Sequence, residues 1–123
     1  MASCIRIKRA YEAQDTDDGF RVLVDGLWPR GLSKSELHLD LWIKELAPSK
    51  EVRESFGHKA ENWKHFQEEY RKELRRPEQI ARIIDVLEAA KDRHITLLYG
   101  AKDTEHNQAV VLAAEFRNVD KKS

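Results

Sequence analysis

The sequence predicts an α/β fold: a small open, mostly parallel sheet flanked by helices, in a single domain. Three observations carry that expectation. CIRIKRAY alternates apolar and polar residues with the period of a strand, ITLLYGA is a near-continuous run of β-forming apolar residues, and two long amphipathic stretches lie between them. Strands separated by helical patterns argue for layers of helix on a sheet. At 123 residues the chain has the length of one domain, with its core expected over about 4–119.

The elements follow in order. In the first strand Ile5, Ile7 and Arg9 share one face, and Arg6 and Lys8 the other. AQDTDDG, acidic and ending in glycine, reads as a turn. FRVLVDG is a second strand, with Phe20, Val22 and Val24 on one side and Leu23 on the other, as expected of a strand covered on both faces. SKSE has the spacing of a capping box, Ser33 capping a short helical turn and Glu36 reaching back. LDLWIKELAPS fits a short strand or a helical turn, ended by Pro48, and Ser49 is a good N-cap for KEVRESF.

ENWKHFQEEYRKEL is the clearest helix, its stripe made by Trp63, Phe66, Tyr70 and Leu74. That spacing points to core packing and not to a base-stacking platform. Arg75 and Arg76 suit its C-terminal end, and Pro77 suits the first turn of the next helix, PEQIARIIDVLEAAKDR. There the expected apolar stripe is Ile80, Ile83, Ile84 and Leu87, covering a sheet face. ITLLYGA is the candidate central strand, and KDTEHNQA opens a last helix running through VVLAAEFRNV. The tail DKKS is polar, with fraying expected.

Composition narrows the function. With 41% hydrophobic and 36% charged residues the chain reads as an ordinary soluble globular protein, and with 22 basic against 22 acidic residues its formal net charge is zero. A general nucleic-acid or membrane-surface binder would carry a basic excess, so nucleic acid is not the expected partner. The single cysteine, Cys4, suits a reducing compartment and reads as a small packing residue. There is no signal-peptide pattern and no apolar run long enough to span a membrane, so the expected location is the cytoplasm. The composition says nothing about oligomeric state.

In a parallel sheet ligands sit beyond the C-terminal strand ends. Three segments compete for that edge: RAY, DGLWPRG and YGAKDTEHN. Arg30 heads the candidates, since a guanidinium forks onto phosphate or carboxylate, with Pro29 stiffening its approach and Gly31 admitting close backbone. The competing role is a corner in which Trp28 plugs the core and Arg30 pairs with Asp25. Arg9 lies on an apolar face and needs a partner, either a salt bridge to Asp25 or a ligand anion.

In KDTEHN, Asp103 or Thr104 is the expected N-cap, with free amides beyond Tyr99 available to a phosphate. Asp103, His106 and Asp25 are the candidate catalytic residues: Asp103 or His106 to move protons, Asp25 to orient Arg30. Arg9, Trp28, Arg30, Tyr99, Lys102 and Asn107 are the candidate ligand contacts. No metal site and no cofactor are expected, because histidine pairs, cysteine clusters, phosphate loops and dinucleotide fingerprints are all missing.

IRIKRAYE, DGFRVLVDGLWPRGLSK, LWIKELAPS, VRESFGHKAENWKHFQEEYRKEL and TLLYGAKDTEHNQAVVL, in that order, resemble the YeaO-like family within domain of unknown function 488. The resemblance runs from about residue 5 to 112. It implies an α/β fold and brings no established activity. Two departures matter. The wider group has a Cys-His-Arg-containing helix start where this chain has Asn107 and no cysteine, so a cysteine mechanism does not carry over. The family also has an arginine where this chain has Gly26, which removes one positive charge from the pocket.

The expected function is therefore binding of a small phosphorylated or nucleotide-like anion at the C-terminal sheet edge, with hydrolysis or group transfer as the chemistry it would support. The alternative is a non-enzymatic regulatory or interaction protein that uses the basic helix end of Arg71, Lys72, Arg75 and Arg76 to touch nucleic acid or an acidic partner.

Overall fold

Four parallel strands form one sheet in the order β1-β4-β2-β3 in a computed structural model that describes residues 4–122. β1 (Ile5–Arg9) and β3 (Leu41–Trp42) are the edges, and β2 (Phe20–Leu23) and β4 (Ile95–Tyr99) the centre. Register aligns Ile5 with Ile95, Phe20 with Ile95, and Val22 with Leu41. All four strands therefore end on the same side, where RAY, DGLWPRG and YGAKDTEHN follow them. ITLLY is fully buried at the centre, as its unbroken apolar run predicts.

The two central strands divide their side chains between two cores. Val22, Val24, Leu97 and Tyr99 face the larger one, which is completed by α2 (Lys50–Phe56), α3 (Trp63–Leu74), α4 (Pro77–Ala90) and α5 (Gln108–Lys122). Leu23 and Leu98 point the other way, onto a smaller cluster with Leu37 of α1 (Lys34–Leu37), Trp28, Leu32 and Leu39. Burying a side chain of this size contributes about 1.5–3 kcal/mol, so the two-sided strands do most to hold the sheet.

Local signals decide the helix ends. Ser33 accepts from the Glu36 amide while Glu36 accepts from the Ser33 amide, and the Ser49 hydroxyl accepts from Val52. Pro77 occupies the first turn of α4. LDLWIKELAPS resolves into both of its readings, the two-residue strand β3 followed by a 3-10 turn at Lys44–Leu46. The stripe of α3 is buried as expected through Phe66, Tyr70 and Leu74.

The stripe of α4 differs from expectation. Its buried face is Ile83, Val86, Leu87 and Ala90, whereas Ile84 is 39% exposed. Positions 83, 86, 87 and 90 follow the helical repeat, and Ile84 lies about 100° off it. This helix lies beside α3, α5 and the Lys44–Leu46 turn, and its buried face joins the main core with the sheet.

The buried arginine of the sheet is Arg21, not Arg9. Arg21 is 2% exposed and donates to Asp18 and to the carbonyls of Leu37 (2.8 Å) and His38 (3.1 Å). Lys8 joins the same carboxylate at 3.1 Å. The free edge of β1 is partly occupied by its own chain: Arg9 N–H donates to Glu12 and the Ile5 carbonyl accepts from Arg117, which takes up two of the groups a partner strand would use. Among the described residues no helix is long and apolar enough to cross a membrane.

Candidate functional site

A cavity of about 560 Å³ opens at the C-terminal edge of the sheet. Its lining comes from the loop after β2 (Asp25 to Arg30), the segment entering α2 (Ala47, Pro48), α2 itself (Arg53, Phe56) with His58 beyond it, Phe66 of α3, and Gly100, Ala101, His106, Asn107 and Gln108 after β4. Tyr11 adds the loop after β1. The three strand-end loops do converge, and α2 and α3 supply a wall that the sequence reading leaves out.

Asp25 is the cavity's acid. Its Oδ2 accepts from the Gly100 amide at 2.7 Å and its Oδ1 from the Gln108 side chain. Burial pushes the carboxyl above its ordinary value, opposed by those two donors. The Trp42 indole donates to the Asp25 carbonyl at 2.8 Å and meets the Trp28 ring edge-on at 5.5 Å. Trp28 in turn donates to the Leu32 carbonyl. These bonds fix the loop carrying Arg30.

Arg30 lines the cavity with its side chain exposed, and its carbonyl accepts from the Tyr11 hydroxyl at 2.9 Å. Among the described residues its guanidinium has no ion pair or hydrogen bond, so the expected Arg30–Asp25 pair does not form and Asp25 does not orient it. Arg9 does not reach Asp25 either. Its guanidinium lies over the Tyr11 ring and donates to the Ala101 carbonyl at 2.9 Å and the Gly100 carbonyl at 3.4 Å. It ties β1 to the loop after β4 and stays outside the cavity.

The N-cap of α5 is Asn107 and not Asp103 or Thr104. Asn107 is buried, its Oδ1 accepts from Val110, and its amide donates to the Asp103 carbonyl. Asp103 organises the turn before it by accepting from the Glu105 and His106 amides at 2.9 and 3.0 Å, and those bonds lower its pKa. With Gly100 donating to Asp25, three of the amides expected to welcome a phosphate, those of Gly100, Glu105 and His106, are already engaged. The His106 ring sits 3.0 Å from Asp103 Oδ2 and edge-on to Trp63. Tyr99 is buried facing the main core, where burial raises its pKa, and Lys102 is exposed; neither lines the cavity.

Of the sequence candidates, the cavity therefore gathers Asp25, Trp28, Arg30, His106 and Asn107, with Asp103 behind His106. Arg53, Phe56, His58, Phe66 and Gln108 are additions. Their signal in the sequence is weak, because α2 reaches the site only by folding over the sheet edge. Two of the four cations of the basic helix end are paired: Arg75 with Glu115 at 3.1 Å and Lys72 with Glu69 at 2.9 Å.

Gly26 also lines the cavity. A Cβ built there would meet only the Ala47 Cβ, at 3.8 Å, an ordinary contact. Nothing in the local backbone requires glycine at this position.

Fold and site together define a parallel α/β protein with a cation-rimmed, apolar-walled cavity at its strand ends. The family model described as the inactive DUF488-N3 subclade matches residues 4–121, and the chain belongs to that family. It is 44% identical over 116 residues to the uncharacterized protein YeaO of Escherichia coli (strain K12), covering 94% of this chain and 98% of that one. It is also 46% identical over 70 residues to the uncharacterized proteins Mb3100c of Mycobacterium bovis and Rv3073c of Mycobacterium tuberculosis, covering 57% of this chain and 59% of each. No solved structure matches the chain at a significant level.

Proposed function

We propose that the cavity binds a small phosphorylated anion without carrying out a reaction on it. The observation that carries this reading is Arg30: a guanidinium on the cavity wall with no acidic partner, in a lining whose one acid, Asp25, already accepts two hydrogen bonds. An unpaired guanidinium at a concave, mostly apolar site is a fork for phosphate or carboxylate. The volume falls within the range of about 300–1,000 Å³ common for small-molecule sites, and the location is the one where parallel sheets hold ligands.

One further point favours binding over turnover: the family description names an inactive subclade. The Asp103–His106 pair has the geometry to move a proton, and in this reading it serves to hold the His106 ring against Trp63.

Trp28 in the lining makes the test direct. Titration with pyrophosphate, followed by tryptophan fluorescence, should give a saturable change. Arg30→Ala should weaken that binding at least tenfold while leaving the melting temperature unchanged. Equal affinity in the variant would overturn the proposal, as would no saturable signal in the parent protein.

A further inference from the structure

We infer that Arg53 is a second ligand cation and that the cavity's ligand joins a phosphate to a flat aromatic ring, as a nucleoside monophosphate does. The inference rests on the anion-binding reading and adds a residue and a ligand class to it.

Arg53 and Phe56 are three residues apart on α2, so they share one face, and both line the cavity. That helix is held in place at both ends. The Ser49 hydroxyl caps its start, and Gly57, at φ 55, stops it with its amide on the Arg53 carbonyl. The neighbouring charges Lys50 and Glu54 pair with each other at 3.9 Å. The Arg53 side chain, exposed, has no ion pair or hydrogen bond among the described residues. Two unpaired guanidiniums, from separate elements, thus border one cavity.

The walls are of the opposite character. Phe56 and Phe66 are 6% and 2% exposed, their rings 4.8 Å apart, and Trp28 and Pro48 continue the apolar lining. Phe56 and Phe66 already pack on each other and on Trp63 and form the wall behind, while the half-buried Trp28 and the 75%-exposed Leu27 offer apolar surface to the cavity. An inorganic anion would satisfy the guanidiniums and leave Trp28 and Leu27 without a ligand contact. An uncharged aromatic molecule would do the reverse. A ligand with both parts uses both features, the ring packing on Trp28 and Leu27 and the phosphate accepting from the arginines.

The test is calorimetry with AMP, adenosine and inorganic phosphate on the parent protein, Arg30→Ala, Arg53→Ala and Arg53→Lys. AMP should bind at least tenfold more tightly than adenosine or phosphate alone. Arg53→Ala should lose about tenfold for AMP and little for adenosine, with an unchanged melting temperature because the side chain is exposed. Arg53→Lys should recover part of the loss, since it keeps the charge but not the fork. If Arg30→Ala weakens AMP and Arg53→Ala does not, the role of Arg53 falls and the anion-binding reading stands. Phosphate binding as tightly as AMP would overturn the aromatic half. Failure of AMP and phosphate alike to bind would overturn both readings.

Discussion

The main-chain amide of Gly100 donates to Asp25 Oδ2 at 2.7 Å, joining the end of β2 to the loop after β4 across the cavity floor. The approach depends on glycine, since a Cβ at position 100 would stand 3.1 Å from that same oxygen. With Gln108 donating to the other oxygen, the site needs an acceptor on both sides of the carboxyl, and only an aspartate supplies it.

Asp25→Asn therefore turns an NH₂ toward one of two donors. The expected loss is about 1–3 kcal/mol, the cost of a buried polar group left without its partner, read as a lower urea midpoint at pH 7. The pH dependence has a definite sign. Because burial raises the folded-state pKa of Asp25, the folded state takes up its proton at higher pH than the unfolded chain does. The stability contributed by this group is full below the unfolded value of about 3.9 and declines as pH rises through the raised one. The deficit of Asp25→Asn should therefore grow as pH falls from 7 toward 4, since protonation stabilises only the parent. A deficit that shrinks over that range would contradict the assignment.

Asp18 behaves in the opposite way. Burial pushes its carboxyl up, but the Asp15 amide, Lys8 and Arg21 together outweigh burial and leave the pKa below the ordinary value. A lowered folded-state pKa means stability that is present above about 3.9 and lost as pH falls through the folded value. Asp18→Asn should cost about 3 kcal/mol or more at pH 7, because it leaves the 2%-exposed Arg21 without its counter-charge. Its deficit should shrink at pH 3, where the parent has also begun to lose the charge. Urea midpoints of both proteins at the two pH values test this, and a constant deficit would count against it.

These two aspartates also mark how far the sequence could be read. Signals confined to a few residues were legible: the Ser33–Glu36 box, the Ser49 cap, Pro77 opening α4, and the unbroken apolar run of β4. The family resemblance held over nearly the whole chain. The convergence of the three strand-end loops followed from parallel topology alone. What stayed hidden depends on tertiary placement. Arg21 shares the covered face of Leu23, and what satisfies it there, the Asp18 carboxylate and the carbonyls of Leu37 and His38, comes from loops whose placement no local pattern shows. Arg9 looked like the anomaly because it shares a face with Ile5 and Ile7, but the strand ends there and its guanidinium turns to main-chain carbonyls. Asp103 and Asn107 are both plausible caps; which one opens α5 depends on where Asp103 has already bent the chain. The α2 wall with Arg53 and Phe56 lies within the resemblance segment VRESFGHK, but nothing in its pattern places it at the sheet edge.

Gly19 is where the turn before β2 cannot change. It holds φ 66, and a Cβ there would lie 2.3 Å from the His94 carbonyl oxygen, which accepts from Phe20 at 2.8 Å. Gly31 has φ 84 but nothing within 4 Å of its would-be Cβ. Gly19→Ala should thus cost about 3 kcal/mol or more, from clash and backbone strain together. Gly31→Ala should cost only the strain, about 1–2 kcal/mol. Thermal unfolding of the two variants side by side checks the ranking, and equal losses would mean that the turn before β2 relaxes freely.

Gly26→Arg places a guanidinium where the family resemblance implies one. The side chain has room, with only the Ala47 Cβ at 3.8 Å, and the residue is exposed on the cavity lining. Removing a glycine where no positive φ is needed should leave stability unchanged or raise it by about 0.4–1 kcal/mol, through the unfolded chain. A third guanidinium at the rim should strengthen pyrophosphate binding by about 1 kcal/mol, close to fivefold, as expected for one more charge in a solvent-accessible site. Because that gain is electrostatic and exposed, it should shrink when ionic strength is raised tenfold. Fluorescence titrations at the two salt concentrations measure both effects. A gain that persists in high salt would point to a direct fork on the phosphate. No gain at either concentration would mean that position 26 lies outside the anion's reach.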